Sequence, residues 1–277
     1  MAKSFLIGLD GTASSARAVQ LGVQWAQQCD ALLVGMVVVD EASLRAVESV
    51  PLGTSSYKHH RDDCVVAKTR HEVEQYLEHF ALKCADARVA CKLLEDTGSP
   101  QDEITREAQR YDLIMLGHRL QFQFASDYEE HHSLRLMLQN SPRPVVVVPD
   151  EPCQGRNVIV AYDGSSQAAR ALQAFLAADL PGFEEIHVVS SAGDKVEAAR
   201  RGDRAVEFLR LHDRDAQLHA IGSTAAPASI LAEQAVALHA GLIVMGAYGQ
   251  SILKELVLGS TTRTLLKSSP VPLFLFH

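Results

Sequence analysis

The chain says most of what constrains its fold by saying it twice. Phe5-Leu-Ile-Gly-Leu-Asp10-Gly-Thr is echoed by Val158-Ile-Val-Ala-Tyr-Asp163-Gly-Ser at an offset of 153. Tyr111-Asp-Leu-Ile-Met-Leu-Gly117 is echoed by Ala240-Gly-Leu-Ile-Val-Met-Gly246 at an offset of 129. Asn140-Ser-Pro142-Arg-Pro144 with four valines is echoed by Ser268-Ser-Pro270-Val-Pro272 with Leu-Phe-Leu-Phe at an offset of 128. Order is kept while identity drifts, as in an old duplication, so each copy must specify one folding unit. The 277 residues are about twice an ordinary domain of ~100–150 residues, and each copy is long enough to bury its own core. The polar segment Asp150-Glu-Pro-Cys-Gln-Gly155 marks the junction, giving domains 1–152 and 153–277.

Each copy alternates short apolar runs with helical patterns. In the second copy the strands are 157–162, 186–190, 216–221, 242–246 and 271–276. Helices fall between them: a segment capped by Ser165 or Ser166 and running to Ala178, then 195–211, 227–240 from Pro227, and 260–268 stopping before Pro270. The strands are continuously apolar, as in a sheet covered on both faces, and strict βαβ alternation requires parallel strands with right-handed crossovers. The class is α/β, a doubly wound five-stranded parallel sheet occurring twice. The first copy carries some 24 extra residues around 41–66. With Pro51, Gly53, Ser55, Ser56, His59 and His60 in it, that stretch reads as an irregular insertion or a lid.

Charge removes several classes of function. There are 26 Lys and Arg against 34 Asp and Glu, a net charge of −8, which disfavours a nucleic-acid or anionic-membrane surface. Split after Glu151, the halves carry about −7 and −1, so a polyanionic ligand suits the second better. The apolar runs are far shorter than the ~20 residues of a membrane span, and the first strand begins at Phe5, leaving no room for a signal peptide. The expectation is a cytoplasmic protein whose five cysteines, none in a CxxC pair, are reduced thiols.

In doubly wound sheets ligands bind beyond the carboxyl ends of the strands, where the winding direction reverses. After the first strand of the second copy comes Asp163-Gly164. After the fourth comes Gly246-Ala-Tyr-Gly249, nine further residues, and then Gly259-Ser260-Thr261 opening a helix. Glycines at a strand end let the backbone approach a ligand with its amides bare, and a Gly-Ser-Thr helix start adds free N–H groups, two hydroxyls and the positive end of a helix dipole. Each glycine alone is explained as a turn former; together, between a strand and a helix, they suit a phosphate. Asp163 suits ribose hydroxyls or a metal-bound water.

The strand-one Asp, the Gly-x2-Gly-x9-Gly-[Ser/Thr] pattern and the terminal Pro-x-Pro strand together resemble the universal stress protein family, in a tandem arrangement covering nearly the whole chain. The resemblance implies strand order 3-2-1-4-5 in each half and ATP, with Mg²⁺ or Mn²⁺, held between strands one and four. By position it implies Asp163 at the ribose or metal, and Ala161 with Val189 beside adenine. It places Met245, Gly246, Gly249, Gly259, Ser260 and Thr261 along the ribose and phosphates. It further implies a stress-response regulator or nucleotide-dependent scaffold whose halves pair as a pseudo-dimer, with homodimerisation open. Val145–Val148 and Val271–Phe276 are the expected edges, because unpaired apolar edges invite pairing.

The first copy keeps Asp10, Gly11 and Gly117 but has Leu120 for Gly249 and His131-His132-Ser133 for Gly259-Ser260-Thr261. Side-chain bulk where backbone must approach phosphate predicts no ATP there in the family's mode, with Asp10 left as a relic or a capping group. His59-His60 with Asp62, Asp63 and Cys64, and Glu129-Glu130-His131-His132, lack the helical spacing of a known metal site and read as solvated polarity. Glu72, Glu74 and Glu78 with Lys68 and Arg70 read as an exposed charged face, and Trp25 as core. Lys254 and Arg263 are the cations nearest the motif. No P-loop and no nucleophile elbow is present, so catalysis is at most slow ATP hydrolysis. Two alternatives stay open: an ATP-consuming hydrolase or transferase, and a nucleotide-free scaffold.

Overall fold

The computed structural model describes residues 1–41, 44, 55–118, 127–247 and 259–277, and the backbone alone of 55–66 and 127–133. The first half runs β1 (Ser4–Gly8), α1 (Ala13–Cys29), β2 (Leu32–Val39), α2 (Ser55–Asp86), β3 (Cys91–Thr97), α3 (Pro100–Ala108), β4 (Leu113–Gly117), α4 (Asp127–Asn140) and β5 (Val145–Val148). The second runs β6 (Asn157–Ala161), α5 (Ser166–Ala178), β7 (Ile186–Ala192), α6 (Lys195–Leu211), β8 (Gln217–Gly222), α7 (Pro227–Ala237), β9 (Ala240–Gly246), α8 (Ser260–Ser268) and β10 (Leu273–Phe276).

The ten strands make one sheet, ordered β3-β2-β1-β4-β5-β10-β9-β6-β7-β8. Each half therefore has the order 3-2-1-4-5. Pairing is parallel within each half and antiparallel across the seam, where Leu273, Phe274 and Leu275 face Val147, Val146 and Val145. The two strands expected as edges thus cover one another, and the free edges are β3 and β8, at the far ends.

Alternating strand residues feed two cores. Phe5, Ile7, Val158 and Val160 face α1, α2, α5 and α6, while Leu6, Ile114, Ile159 and Ile243 face α3, α4, α7 and α8. Trp25 lies in the first core, edge-on to Phe5 and, across the seam, to Phe183. Ser165 caps α5 by accepting the Ala168 N–H at 3.1 Å. α7 stops at Ala237, three residues short of the sequence expectation, and His239 takes a left-handed conformation (φ 48°) that turns the chain into β9.

One expectation needs correcting. The stretch 41–66 is not irregular throughout, because residues 55–66 are the opening turns of α2, a helix of 32 residues. Residues 42, 43 and 45–54 lie outside the described residues, as does any lid they form. The side chains of His59, His60, Asp62, Asp63, Cys64 and His131 to Ser133 lie outside them too, and so does Leu120. Further along α2 the surface is charged as expected, with Lys68 paired to Glu72 at 3.6 Å and Arg70 to Glu41 at 2.9 Å. Cys29, Cys84, Cys91 and Cys153 are free thiols, and burial pushes Cys84 up to about 12. No helix among the described residues is long and apolar enough to cross a membrane.

Candidate functional site

In the second half the winding reverses between β6 and β9, and a cavity of about 320 Å³ opens at their carboxyl ends. Ala161 and Asp163 enter it from β6, Val189 and Ser191 from β7, Met245 and Gly246 from β9, and Gly259 to Thr262 from the start of α8. The structure thus brings together eight of the nine residues singled out from the sequence: Ala161, Asp163, Val189, Met245, Gly246, Gly259, Ser260 and Thr261. Gly249 lies outside the described residues, as does Lys254.

One wall is apolar and made of side chains. Val189 and Met245 are buried, and Ile230 and Leu231 of α7 close the slot from above. Polar groups line the same cavity, among them Asp163, Ser191, Arg201 and the Ser260 to Thr262 start of α8. Gly259 caps α8 and brings no side chain of its own to the helix's first amides, and Gly259 to Thr262, at the positive end of the helix dipole, line the cavity. α7 likewise starts from Ala226 without a side-chain cap, and Pro227 lies in the wall. A slot of this kind accepts a flat apolar ring at one end and an anion at the other.

Asp163 follows β6 and is exposed; its Oδ1 accepts the Ser165 N–H at 2.9 Å, leaving the rest of the carboxylate toward the cavity. Gly164 has φ 82°, a conformation that favours glycine, and the stem of Arg201 lies against it. Gly246 has a structural duty as well. A Cβ there would stand 2.8 Å from Gln167 Cβ and 2.9 Å from the Gln167 carbonyl carbon, so glycine is what lets α5 approach β9.

Reasoning from sequence missed Tyr162, Ser191, Arg201, Pro227, Ile230 and Leu231. Arg201 supplies a guanidinium in the cavity wall, held by Glu197 Oε1 at 2.8 Å. On a helix, Glu197 and Arg201 read as an ordinary i,i+4 surface pair, which hides the wall position. Burial raises the Tyr162 phenol above its ordinary range, opposed by the Arg204 guanidinium and helped by Asp163.

The first half shows the same frame filled in. Asp10 is buried, and its Oδ1 accepts the Thr12 N–H at 3.0 Å and the Thr12 hydroxyl at 2.7 Å, which makes it a turn-forming group. Tyr76 of α2 lies over Gly11, and its phenol is raised by burial and by the nearby Glu72 and Asp10 charges. Only about 20 Å³ remains among Leu9, Asp10, Val37, Thr69, Val73 and Tyr76. The described residues therefore give a different cause for closure from the one the sequence suggested. A helix with large side chains covers the end of β1.

Residues 155–277 match the model of the universal stress protein family. Along 177 residues the chain is 27% identical to the universal stress protein Slr1230 of Synechocystis, a match spanning 60% of this chain and 58% of that relative's length. In fold it is similar to a universal stress protein from Archaeoglobus fulgidus, with a TM-score of 0.73 at 19% identity over 99% of this chain and 95% of the other. It is also similar to a protein described as a putative universal stress protein from Pseudomonas aeruginosa, with a TM-score of 0.56 at 12% identity over 99% and 93%.

Proposed function

Residues 155–277 belong to the universal stress protein family, and from that premise we propose that this half binds ATP as a regulatory ligand in the cavity between β6 and β9. The domains are 1–152 and 153–277, and only the second takes nucleotide. The observation that carries this reading is one cavity, at the strand-order reversal, lined both by apolar side chains and by the glycine-capped start of α8. Adenine fits between Ala161, Val189, Ile230, Leu231 and Met245. The ribose reaches Asp163, and the phosphates meet the amides and hydroxyls of Gly259, Ser260 and Thr261, joined by Gly249 from the preceding segment.

Mg²⁺ or Mn²⁺ fits only as the nucleotide's companion. Among the described residues no group of three His, Cys, Asp or Glu side chains is placed to hold a metal ion, and Asp163 is the cavity's one carboxylate. A cation there would be held by phosphate oxygens, with Asp163 and the Ser260 and Thr261 hydroxyls as supports. Binding would act on conformation and association, which suits a stress-response regulator or scaffold working in the cytoplasm. The antiparallel β5–β10 pairing supports reading the two halves as a pseudo-dimer within one chain.

The test is direct. Freshly purified protein is denatured and the released small molecules are identified by mass spectrometry; adenine nucleotide is expected from wild type and none from Gly259→Val. Ligand binding to the folded state alone adds RT ln(1 + [L]/Kd), about 2.7 kcal/mol at a hundredfold excess, or roughly 5 °C in Tm for a chain of this size. Ala161→Leu, which places three more carbons in the adenine slot, should fold and lose that rise. An unchanged wild-type Tm in saturating MgATP would end the reading.

A further inference from the structure

Beside the nucleotide cavity lies a second one of about 220 Å³, lined by Asp163, Gly164, Glu197, Arg200, Arg201 and Arg204. The two cavities share Asp163 and Arg201, so they meet where a ribose held by Asp163 would present its hydroxyls. Three guanidiniums face two carboxylates here. Glu197 holds both Arg200 and Arg201, each at 2.8 Å. Arg204, one turn further along α6, has no hydrogen bond or ion pair among the described residues.

The duplication supplies an internal comparison. Tyr76 lies on Gly11 as Arg201 lies on Gly164, so α2 and α6 correspond at an offset of 125. The same offset pairs Phe80, which fills the space over Gly35, with Ala205 in the second half. Arg200, Arg201 and Arg204 therefore stand where the first half has Gln75, Tyr76 and His79, while Glu197 stands where it has Glu72. The three arginines occur only beside the open cavity.

Arginine is the side chain suited to phosphate, offering paired donors in a rigid fork and a charge that does not titrate away. The start of α8 already provides for phosphates at the 5′ end of a nucleoside. The arginine cavity provides for an anion at the other end of the ribose. We infer that the preferred ligand is an adenine nucleotide carrying a second phosphoryl group on its ribose, at O3′ or O2′. Asp163 keeps the remaining hydroxyl, and Arg200 and Arg204 take the added phosphate. This deepens the nucleotide-binding reading and rests on it.

Isothermal titration of the full chain with AMP, adenosine 3′,5′-bisphosphate, adenosine 2′,5′-bisphosphate and inorganic phosphate separates the cases. One bisphosphate should bind at least about tenfold more tightly than AMP, since hydrogen bonds to charged partners are among the stronger ones. The double variant R200Q/R204Q should erase that advantage and leave AMP affinity unchanged. Equal affinity for AMP and both bisphosphates overturns this inference while leaving nucleotide binding intact, as does an advantage that survives in the variant. Inorganic phosphate binding as tightly as the bisphosphates assigns the arginines to a free anion and overturns it too. Failure of every nucleotide to bind overturns both readings.

Discussion

At the scale of single residues, glycine at the end of a strand has two explanations that predict different things. Gly246 lines the cavity, yet a Cβ on it would meet the Gln167 side chain at 2.8 Å and the Gln167 backbone at 2.9 Å. The backbone neighbour cannot swing away, so the cost falls on folding as well as on binding. Gly246→Ala is expected to lower stability by about 1–3 kcal/mol, read as an earlier urea midpoint at unchanged slope. A midpoint equal to wild type would mean that α5 can retreat and that the residue matters only to the ligand. Gly117 stands against Ser14 and Ser15 in the same way in the first half, where the described residues leave only about 20 Å³ by Asp10, so this glycine has a packing duty in both halves. That is why the pair Gly117 and Gly246 was legible as a repeat, while Gly246 pointed to a ligand only in company with Gly249 and Gly259-Ser260-Thr261. Asp163 was legible for the opposite reason. Asp163 makes the same turn bond as Asp10, to the N–H two residues on, but it is exposed and lines the larger cavity where Asp10 is buried, which the turn alone does not explain.

At the scale of elements, strands could be read from apolar runs because both faces of the sheet are covered, and helix starts from Ser165 and Pro227. The opening of α2 could not. Residues 55–66 contain only Tyr57, Val65 and Val66 as large apolar groups apart from Cys64, too few to show a helical period, and Pro51 and Gly53 precede them. Tyr76 and Arg201 escaped notice because a residue four places from an acidic partner on a helix reads as surface. Their role depends on where the helix lies over the sheet, which spacing does not encode. The outermost strands of the second half hold one further element-scale feature. His187 of β7 and His219 of β8 share a hydrogen bond of 3.1 Å, Nδ1 to Nε2. Burial, then the neighbouring His219, lowers the His187 pKa from its ordinary value near 6.5, and Glu185 opposes them. A base whose folded pKa is depressed contributes stability that is whole above the unfolded value and is lost as pH falls below it toward the folded value. The wild-type Tm should therefore fall more between pH 7 and pH 5 than that of His187→Leu. Parallel curves for the two proteins would show that the pair does not titrate with unfolding.

At the scale of the whole molecule, the two halves form one sheet rather than two neighbouring ones. Both cores hold residues from the two halves; in the first, fully buried Phe274 of β10 lies edge-on to Phe175, and Trp25 is set between Phe5 of the first half and Phe183 of the second. The main chain crosses it as well, where the Ala2 N–H donates to the Ala178 carbonyl at 2.7 Å. The covalent link is a small part of this. Glu151 and Pro152 are exposed on the way from β5 to β6, so a protease site inserted between them should be cut without disturbing either core. The cleaved halves are expected to elute together in size-exclusion chromatography and to separate only in denaturant, because parting them would uncover a continuous apolar edge at β5 and β10. If they part in native buffer, the strand pairing contributes little, and the closed first half could not be supporting the open one. If they stay together, Phe274→Ala should loosen them, since removing a fully buried phenylalanine costs about 3–5 kcal/mol and this one lies on the seam. The first half would then serve a purpose whatever it binds, as the covalently tethered partner that covers the β10 edge of the second.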